Sequence, residues 1–238
     1  MPASSSNDPR RAGAPMSPPS DPLSPQESLF QDSAAAPDLP EGFAYYPGYF
    51  DDKAQHMLLD EIRQIIAQAP LFTPLMPKTG QPFSVRMSNC GPLGWVSDRA
   101  GYRYQPQHPE TGSPWPLMPD PLTALWENVS GFSGPAEACL INYYADGTRM
   151  GLHQDRDEET FDAPVVSVSL GDEAVFRIGG LKRKDPTRSM RLKSGDVLVF
   201  GGPARLAFHG IDRVIKGSSA LLKQGGRLNL TLRRVTAL

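Results

Sequence analysis

Cysteine is scarce in this chain of 238 residues: only Cys90 and Cys139 are present, both in apolar or strand-like surroundings. Two such residues argue against a disulfide-stapled scaffold and are expected as buried free thiols. Long apolar runs are missing. No stretch approaches the roughly 18 residues that would cross a bilayer, and the start, rich in Ser, Pro and Asp, lacks the apolar segment of a secretory signal. A soluble, cytoplasmic protein is expected, without a membrane partner. There is no glycine-rich phosphate loop and no internal repeat, which argues against a nucleotide-dependent enzyme. Acidic residues nearly vanish from the last quarter. Residues 177–238 hold 14 Lys and Arg against Asp185, Asp196 and Asp212, whereas residues 1–176 hold 10 basic against 23 acidic residues. The net charge of -2 hides this division. The basic quarter can steer a polyanion, or it can be a solvated face with a few internal ion pairs.

Residues 1–40 contain nine prolines and few large apolar side chains; they cannot repay the entropy of ordering and read as a disordered tail. Residues 41–238 read as one catalytic-domain-sized unit, with N-terminal support over 41–134 and a β-rich core over 135–238. Aromatic density over Phe43–Phe50 suits a first strand and turn. Leu58, Leu59, Ile62, Ile65 and Ile66 recur at helical spacing between Asp51 and Ala69, with Asp51 or Asp52 as cap and Pro70 as stop. A plausible strand, Phe83–Cys90, is followed by Gly91-Pro92-Leu93-Gly94-Trp95 and then Tyr102 and Tyr104, where flexible glycines beside aromatics suit a lid. A short helix is expected over Pro121–Val129. Beyond Gly134 the periodicity falls to 2: Cys139–Tyr144, Met150–His153, Val165–Leu170, Ala174–Ile178, Met190–Leu192, Val197–Phe200, Leu206–His209 and Arg227–Arg233 read as strands. Many short strands joined by Gly and Asp turns indicate an antiparallel sandwich or jelly roll, mainly β with N-terminal α/β elements.

His153-Gln154-Asp155 places two metal-competent side chains on one face of an extended strand. His209 is the best third donor, since His56 lies on the first helix and His108 in a proline-flanked loop. Two imidazoles and a carboxylate would leave about three positions of a six-coordinate iron open, the arrangement of non-haem Fe(II) oxygenases. Zinc, or histidines with no metal role, are the competing readings. On the last strand Arg227, Asn229, Thr231 and Arg233 alternate with Leu228, Leu230 and Leu232. Pleating sends two guanidiniums to the face opposite the leucines, a layout that can grip a dicarboxylate.

Taken in order, Asn89-Cys-Gly-Pro-Leu-Gly-Trp95, Gly101-Tyr102-Arg-Tyr104, Pro114-Trp115-Pro116, Asn142-Tyr-Tyr144, Leu152-His153-Gln-Asp155-Arg-Asp157-Glu158, Gly179-Gly180-Leu-Lys-Arg183, Gly195-Asp196, His209-Gly210 and Arg227–Arg233 resemble the AlkB-type Fe(II)/2-oxoglutarate-dependent alkylation-repair dioxygenases. The likeness runs from about Phe43 to Val235 and is stronger toward the bacterial members. It implies a double-stranded β-helix with a nucleotide-recognition lid, Fe(II) on His153, Asp155 and His209, and 2-oxoglutarate and O2 as cosubstrates. The resemblance puts the distal carboxylate of 2-oxoglutarate on Arg227, and puts Arg233, Asn142, Tyr144 and Asn229 on its other polar groups. It puts Trp95, Tyr102, Asp157 and Arg183 at the substrate, with Asp157 facing the edge of a base made cationic by methylation. The implied reaction is oxidative demethylation of N1-methyladenine and N3-methylcytosine, in single-stranded DNA above all, with RNA and duplex DNA as further partners of a monomeric enzyme. The alternatives are a 2-oxoglutarate oxygenase acting on a protein or small molecule, and a cupin-like binding module without redox chemistry.

Overall fold

The computed structural model describes Asp38–Leu238; the expected tail lies outside the described residues except for its last three. Two antiparallel sheets face each other. The larger has six strands in the order β1-β10-β7-β12-β5-β2, formed by β1 (Phe43–Tyr46), β2 (Arg86–Cys90), β5 (Ala138–Tyr144), β7 (Val165–Gly171), β10 (Val197–Phe200) and β12 (Arg227–Arg233). The smaller has four in the order β6-β11-β8-β9, from β6 (Met150–His153), β8 (Glu173–Ile178), β9 (Arg188–Leu192) and β11 (His209–Ile215). The crossed strand order and the two facing sheets are those of a jelly roll. β1 and β2, from the N-terminal half, pair with β10 and β5 and extend the larger sheet at both edges. A separate hairpin of β3 (Gly94–Asp98) and β4 (Gly101–Gln105) stands apart from both sheets.

The larger sheet is buried on both faces, and its alternation sorts side chains into two sets. Leu228, Leu230 and Leu232 of β12, Cys139 and Ile141 of β5, and Val166, Val168 and Leu170 of β7 pack under two helices, α1 (Asp52–Gln68) and α2 (Asp120–Val129). α1 begins where Asp51 accepts a hydrogen bond from the Ala54 amide at 2.8 Å, a cap that satisfies one orphan donor of the first turn. It ends before Pro70, and its buried face carries Leu58, Leu59, Ile62 and Ile65. Each such side chain contributes about 1.5–3 kcal/mol through burial. Ile62 is fully buried, as is Leu58, and truncating Ile62 to Ala should loosen the helix by roughly 2–5 kcal/mol.

The other face of β5, β7 and β12 looks toward the smaller sheet and carries Asn142, Tyr144, Ser167, Arg227, Asn229, Thr231 and Arg233. A polar lining on a doubly buried sheet stands only where its groups find hydrogen-bond partners. Cys90 and Cys139 are both free and buried, as expected, and sit opposite each other across β2 and β5. No helix among the described residues is long and apolar enough to cross a membrane.

Two strand expectations change: the strand expected over Phe83–Cys90 covers only Arg86–Cys90, and the one expected over Leu206–His209 moves along the chain. Leu206–Phe208 does not form a strand; the strand starts at His209 and runs on to Ile215. The 3-10 turn Gly202–Ala204 delivers the chain sideways, and Phe208 is held to the Gly179-Gly180 turn by backbone hydrogen bonds of 2.7 and 2.9 Å. The sequence Asp212-Arg213-Val214-Ile215-Lys216 is too polar to show the alternation that would have marked the rest of β11. Likewise β3 is hidden among glycines.

Candidate active site

One cavity of about 870 Å³ opens between the sheets, and all twelve residues singled out from the sequence line it. His153, Asp155 and His209 offer ligand atoms within 4.8 Å of one another. His209 opens β11 directly opposite His153 at the end of β6. Gly210 makes this approach feasible: a Cβ there would sit 2.6 Å from the Met150 carbonyl oxygen, inside any tolerable contact. The His-Gly pair is therefore a packing requirement as well as a motif.

Both imidazoles are set by the backbone. Nδ1 of His153 lies 3.0 Å from the Gly151 carbonyl, and Nδ1 of His209 lies 3.0 Å from that of Ala207. A carbonyl oxygen only accepts, so each Nδ1 carries a proton, and Nε2 is the nitrogen of each ring left to face a metal. Those Nε2 atoms stand 3.6 and 3.8 Å from the two Asp155 oxygens. Burial lowers the His209 pKa to about 4, so the ring is neutral at physiological pH. Burial works to raise the Asp155 pKa, yet the Arg233 guanidinium, by its charge and its hydrogen bond, holds it below the normal carboxylate range. Two neutral nitrogens and one carboxylate oxygen fit a divalent first-row cation with open positions. The other histidines do not compete. His56 is exposed on α1, and His108 is buried with Nε2 on the Pro70 carbonyl at 2.8 Å and Nδ1 accepting from the Glu110 and Thr111 amides.

Beside the triad lies a second group with unmet bonding capacity. Arg227 is 1% exposed; its Nη2 donates to Ser169 at 2.9 Å, while Nε and Nη1 have no partner, and neither has Oδ1 of Asn142. Burial pulls the Arg227 pKa down to about 10, which leaves it cationic at neutral pH. A buried cation with two unused donors fits a carboxylate. Arg233 lies six residues along β12 from Arg227, and its guanidinium donates to Asp155 at 2.7 Å. Burial opposes its charge, but Asp155, Tyr104 and Glu158 hold its pKa above the usual arginine value. Asn229 is also committed: its amide donates to Ser167 at 2.8 Å and to the Val168 carbonyl at 3.0 Å, and its oxygen accepts from Thr231 at 3.2 Å. It stiffens the lining more than it offers free groups.

The mouth is aromatic. The Trp95 and Tyr102 rings stack with centroids 5.6 Å apart and planes 19° apart, and Tyr102 is half exposed. Asn89, buried in β2, fixes the hairpin: Oδ1 accepts from the Trp95 amide at 3.0 Å, and Nδ2 donates to the Trp95 carbonyl at 3.1 Å. Trp95 Nε1 donates to Asp157 at 2.8 Å, which joins the hairpin to the loop after the metal-facing aspartate. Across the mouth the Arg183 guanidinium rests over Phe208, 5.1 Å from its centroid. Gly195-Asp196 is structural, because the Asp196 carboxylate accepts from Tyr45 at 2.7 Å and from the amides of Gly48 and Lys193 at 2.9 and 2.7 Å.

Tyr104 was read from the sequence as a lid aromatic, Glu158 entered only within a motif, and Arg205 was passed over. Glu158 and Arg205 are buried here, and Tyr104 is half-buried. Tyr104 donates to Glu158 at 2.6 Å, Glu158 lies 3.4 Å from Arg233, and Arg205 Nη2 approaches the other Glu158 oxygen at 3.1 Å. The only sequence signal was an arginine four residues before His209 in an otherwise apolar stretch.

The family model for the 2OG-Fe(II) oxygenase superfamily matches residues 42–233. The chain is 56% identical over 193 residues to the alpha-ketoglutarate-dependent dioxygenase AlkB homolog of Caulobacter vibrioides (strain NA1000 / CB15N), spanning 81% of this chain and 87% of that protein. It is 43% identical over 189 residues to the alpha-ketoglutarate-dependent dioxygenase AlkB of Escherichia coli (strain K12), covering 78% and 87%. The solved structure of OsALKBH1 matches with a TM-score of 0.72 at 28% identity, over 82% of this chain and 98% of that one. With a His-Asp-His group and an unsatisfied arginine meeting in the cavity of a jelly roll, the chain belongs to the 2OG-Fe(II) oxygenase superfamily and, within it, to the AlkB-type Fe(II)/2-oxoglutarate-dependent dioxygenases close to the bacterial members.

Proposed function

We propose that this enzyme oxidatively demethylates N1-methyladenine and N3-methylcytosine, with single-stranded DNA as the principal substrate and RNA as a second one. The observation that carries the reading is the shared cavity: metal donors, a free buried guanidinium, and a carboxylate beneath a stacked aromatic pair all face one space. His153, Asp155 and His209 would hold Fe(II). Arg227, with Asn142 and Tyr144, would receive the distal carboxylate of 2-oxoglutarate, and Arg233 would lie near its keto-acid end while holding Asp155. Bound iron, 2-oxoglutarate and oxygen together supply the oxidant that hydroxylates the methyl carbon, with succinate and carbon dioxide as coproducts.

The chain's own residues do the selecting. Methylation at N1 of adenine or N3 of cytosine leaves the ring cationic, and Asp157, exposed at the cavity mouth, would present opposite charge to the base edge. Its hydrogen bond from Trp95 fixes the carboxylate while the indole and Tyr102 present a flat face to a base. Arg183 stands at the mouth where a phosphate or the base itself would pass. A base in a duplex must be flipped to enter, at a cost of a few kcal/mol, and a single strand avoids most of it. The hydroxymethyl product on the ring nitrogen breaks down to formaldehyde and the repaired base.

The test is anaerobic reconstitution with Fe(II), addition of 2-oxoglutarate and oxygen, and mass analysis of oligonucleotides carrying each lesion in single-stranded and duplex form. Loss of the methyl group with matching succinate, fastest on single-stranded DNA, is expected. Succinate formation that no methylated oligonucleotide stimulates would instead favour a protein or small-molecule substrate.

A further inference from the structure

Asp155 lies beyond the end of β6, where no ladder holds its backbone. Its carbonyl is taken by Arg205, whose Nη1 donates to it at 2.8 Å. The same guanidinium donates through Nε to the Ala163 carbonyl at 3.0 Å, sits 3.1 Å from Glu158 through Nη2, and lies over the Phe161 ring at 5.4 Å. Four residues of one loop thus converge on a side chain that is 2% exposed. Arg205 itself is anchored at the end of the 3-10 turn, its amide donating to Gly202 at 3.1 Å, and it precedes His209 by four residues. We propose that Arg205 is a positioning residue for the metal centre: it ties the loop carrying Asp155, Asp157 and Glu158 to the segment that delivers His209, so that carboxylate and imidazole keep their spacing before any metal arrives.

Charge balance alone would not need an arginine. Glu158 also has Tyr104 and Arg233 as partners. A planar fork reaching two carbonyls and a carboxylate at once is what lysine cannot reproduce, since its ammonium is a single point on a flexible stem. Groups that hold a metal ligand in place without touching the metal affect affinity by roughly 10–100-fold.

The proposal rests on Asp155 being a ligand, and the experiment separates the two. Co(II), stable to oxygen in this coordination, is titrated calorimetrically into metal-free protein, with urea unfolding as a check on the fold. R205M alone leaves Glu158 short of one counter-charge, so the informative variant is E158Q/R205M compared with E158Q. The double variant should fold like E158Q and bind Co(II) roughly 10–100-fold more weakly; equal affinity would overturn the role given to Arg205. Should the double variant not fold, R205K carries the test, because it keeps the charge yet reaches one carbonyl at most. A loss of about tenfold is expected, and wild-type affinity would overturn the proposal. D155A is the control: wild-type Co(II) binding there would overturn the ligand assignment and with it the role of Arg205, whereas loss in D155A without loss in the Arg205 variants would sink the Arg205 proposal alone.

Discussion

Arg227 shows how one side chain can announce a ligand. Its cation is held out of water by Tyr144, whose ring lies 5.4 Å from the guanidinium carbon, and only one of its nitrogens is bonded within the protein. Leaving donors of a buried charge unmade costs about 1–3 kcal/mol or more, a cost that a bound carboxylate removes. Truncating one side of such a buried pair costs roughly 2–5 kcal/mol, so R227M should weaken 2-oxoglutarate binding by at least about 30-fold, measured anaerobically with metal present. Binding of a methylated oligonucleotide should change little. An unchanged cosubstrate dissociation constant would reject the assignment. His153, Asp155 and Arg227, which line one cavity, were legible in the sequence because their spacing is a chemical constraint: His153 and Asp155 two apart, Arg227 alternating with leucines. Arg205 and Glu158 were not. A partnership across 47 positions between two buried charges leaves no periodic trace, and nothing in the sequence said that Arg233 would spend its guanidinium on Asp155.

At the level of elements, the β3–β4 hairpin stands at the cavity mouth and is pinned there. Asn89 grips the backbone of Trp95 from β2, and Gly94 is obligatory because an added Cβ would run into the Trp115 ring. The motif Asn89–Trp95 therefore encodes a clamp, a close approach and a stacking surface in seven residues. W95A should lower affinity for a methylated oligonucleotide by roughly 1–3 kcal/mol, the worth of one base stack, and leave iron and 2-oxoglutarate binding at wild-type levels. W95F separates the two jobs of the indole, keeping an aromatic face but releasing Asp157, so its loss should appear as poorer discrimination between methylated and unmethylated strands. Equal affinity and turnover for W95A and wild type, followed by fluorescence anisotropy and succinate release, would place the base elsewhere. The helices and the apolar strands were readable from period alone. β3 was not, since in Gly94–Asp98 only Trp95 and Val96 are large apolar residues, and its conformation is dictated by Asn89 and β4.

On the scale of the whole molecule, the excess of 11 positive charges in residues 177–238 shrinks once the buried and paired ones are set aside. Arg205, Arg227 and Arg233 are buried around the active site. Arg188 pairs with Asp38 at 2.8 Å, Lys216 with Asp146 at 2.6 Å, Arg191 with Glu173 at 3.5 Å and Arg234 with Glu137 at 3.4 Å. Lys182 and Lys184, exposed on the turn after Gly179-Gly180, have no ion-pair partner among the described residues, and their neighbour Arg183 lines the cavity mouth. Beside the cavity mouth the unpaired cations of this quarter are these few, so few phosphates could be neutralised there. Each phosphate contact on a single strand contributes about 0.7 to the slope of log affinity against log salt, so replacing Lys182 and Lys184 with Ala together should make that slope shallower by about 1.4. The loss in affinity should be similar for unrelated sequences, since phosphate contacts carry no base information, and 2-oxoglutarate binding should not move. R183A should behave differently, lowering turnover as well as affinity, because its guanidinium lies over Phe208 beside the metal-facing strand. Anisotropy titrations of two unrelated methylated oligonucleotides over a salt series measure both quantities. A slope in the double variant equal to that of the wild type would mean that the strand's phosphates run past a different face of the mouth, and that the lysines of this turn only keep the surface solvated.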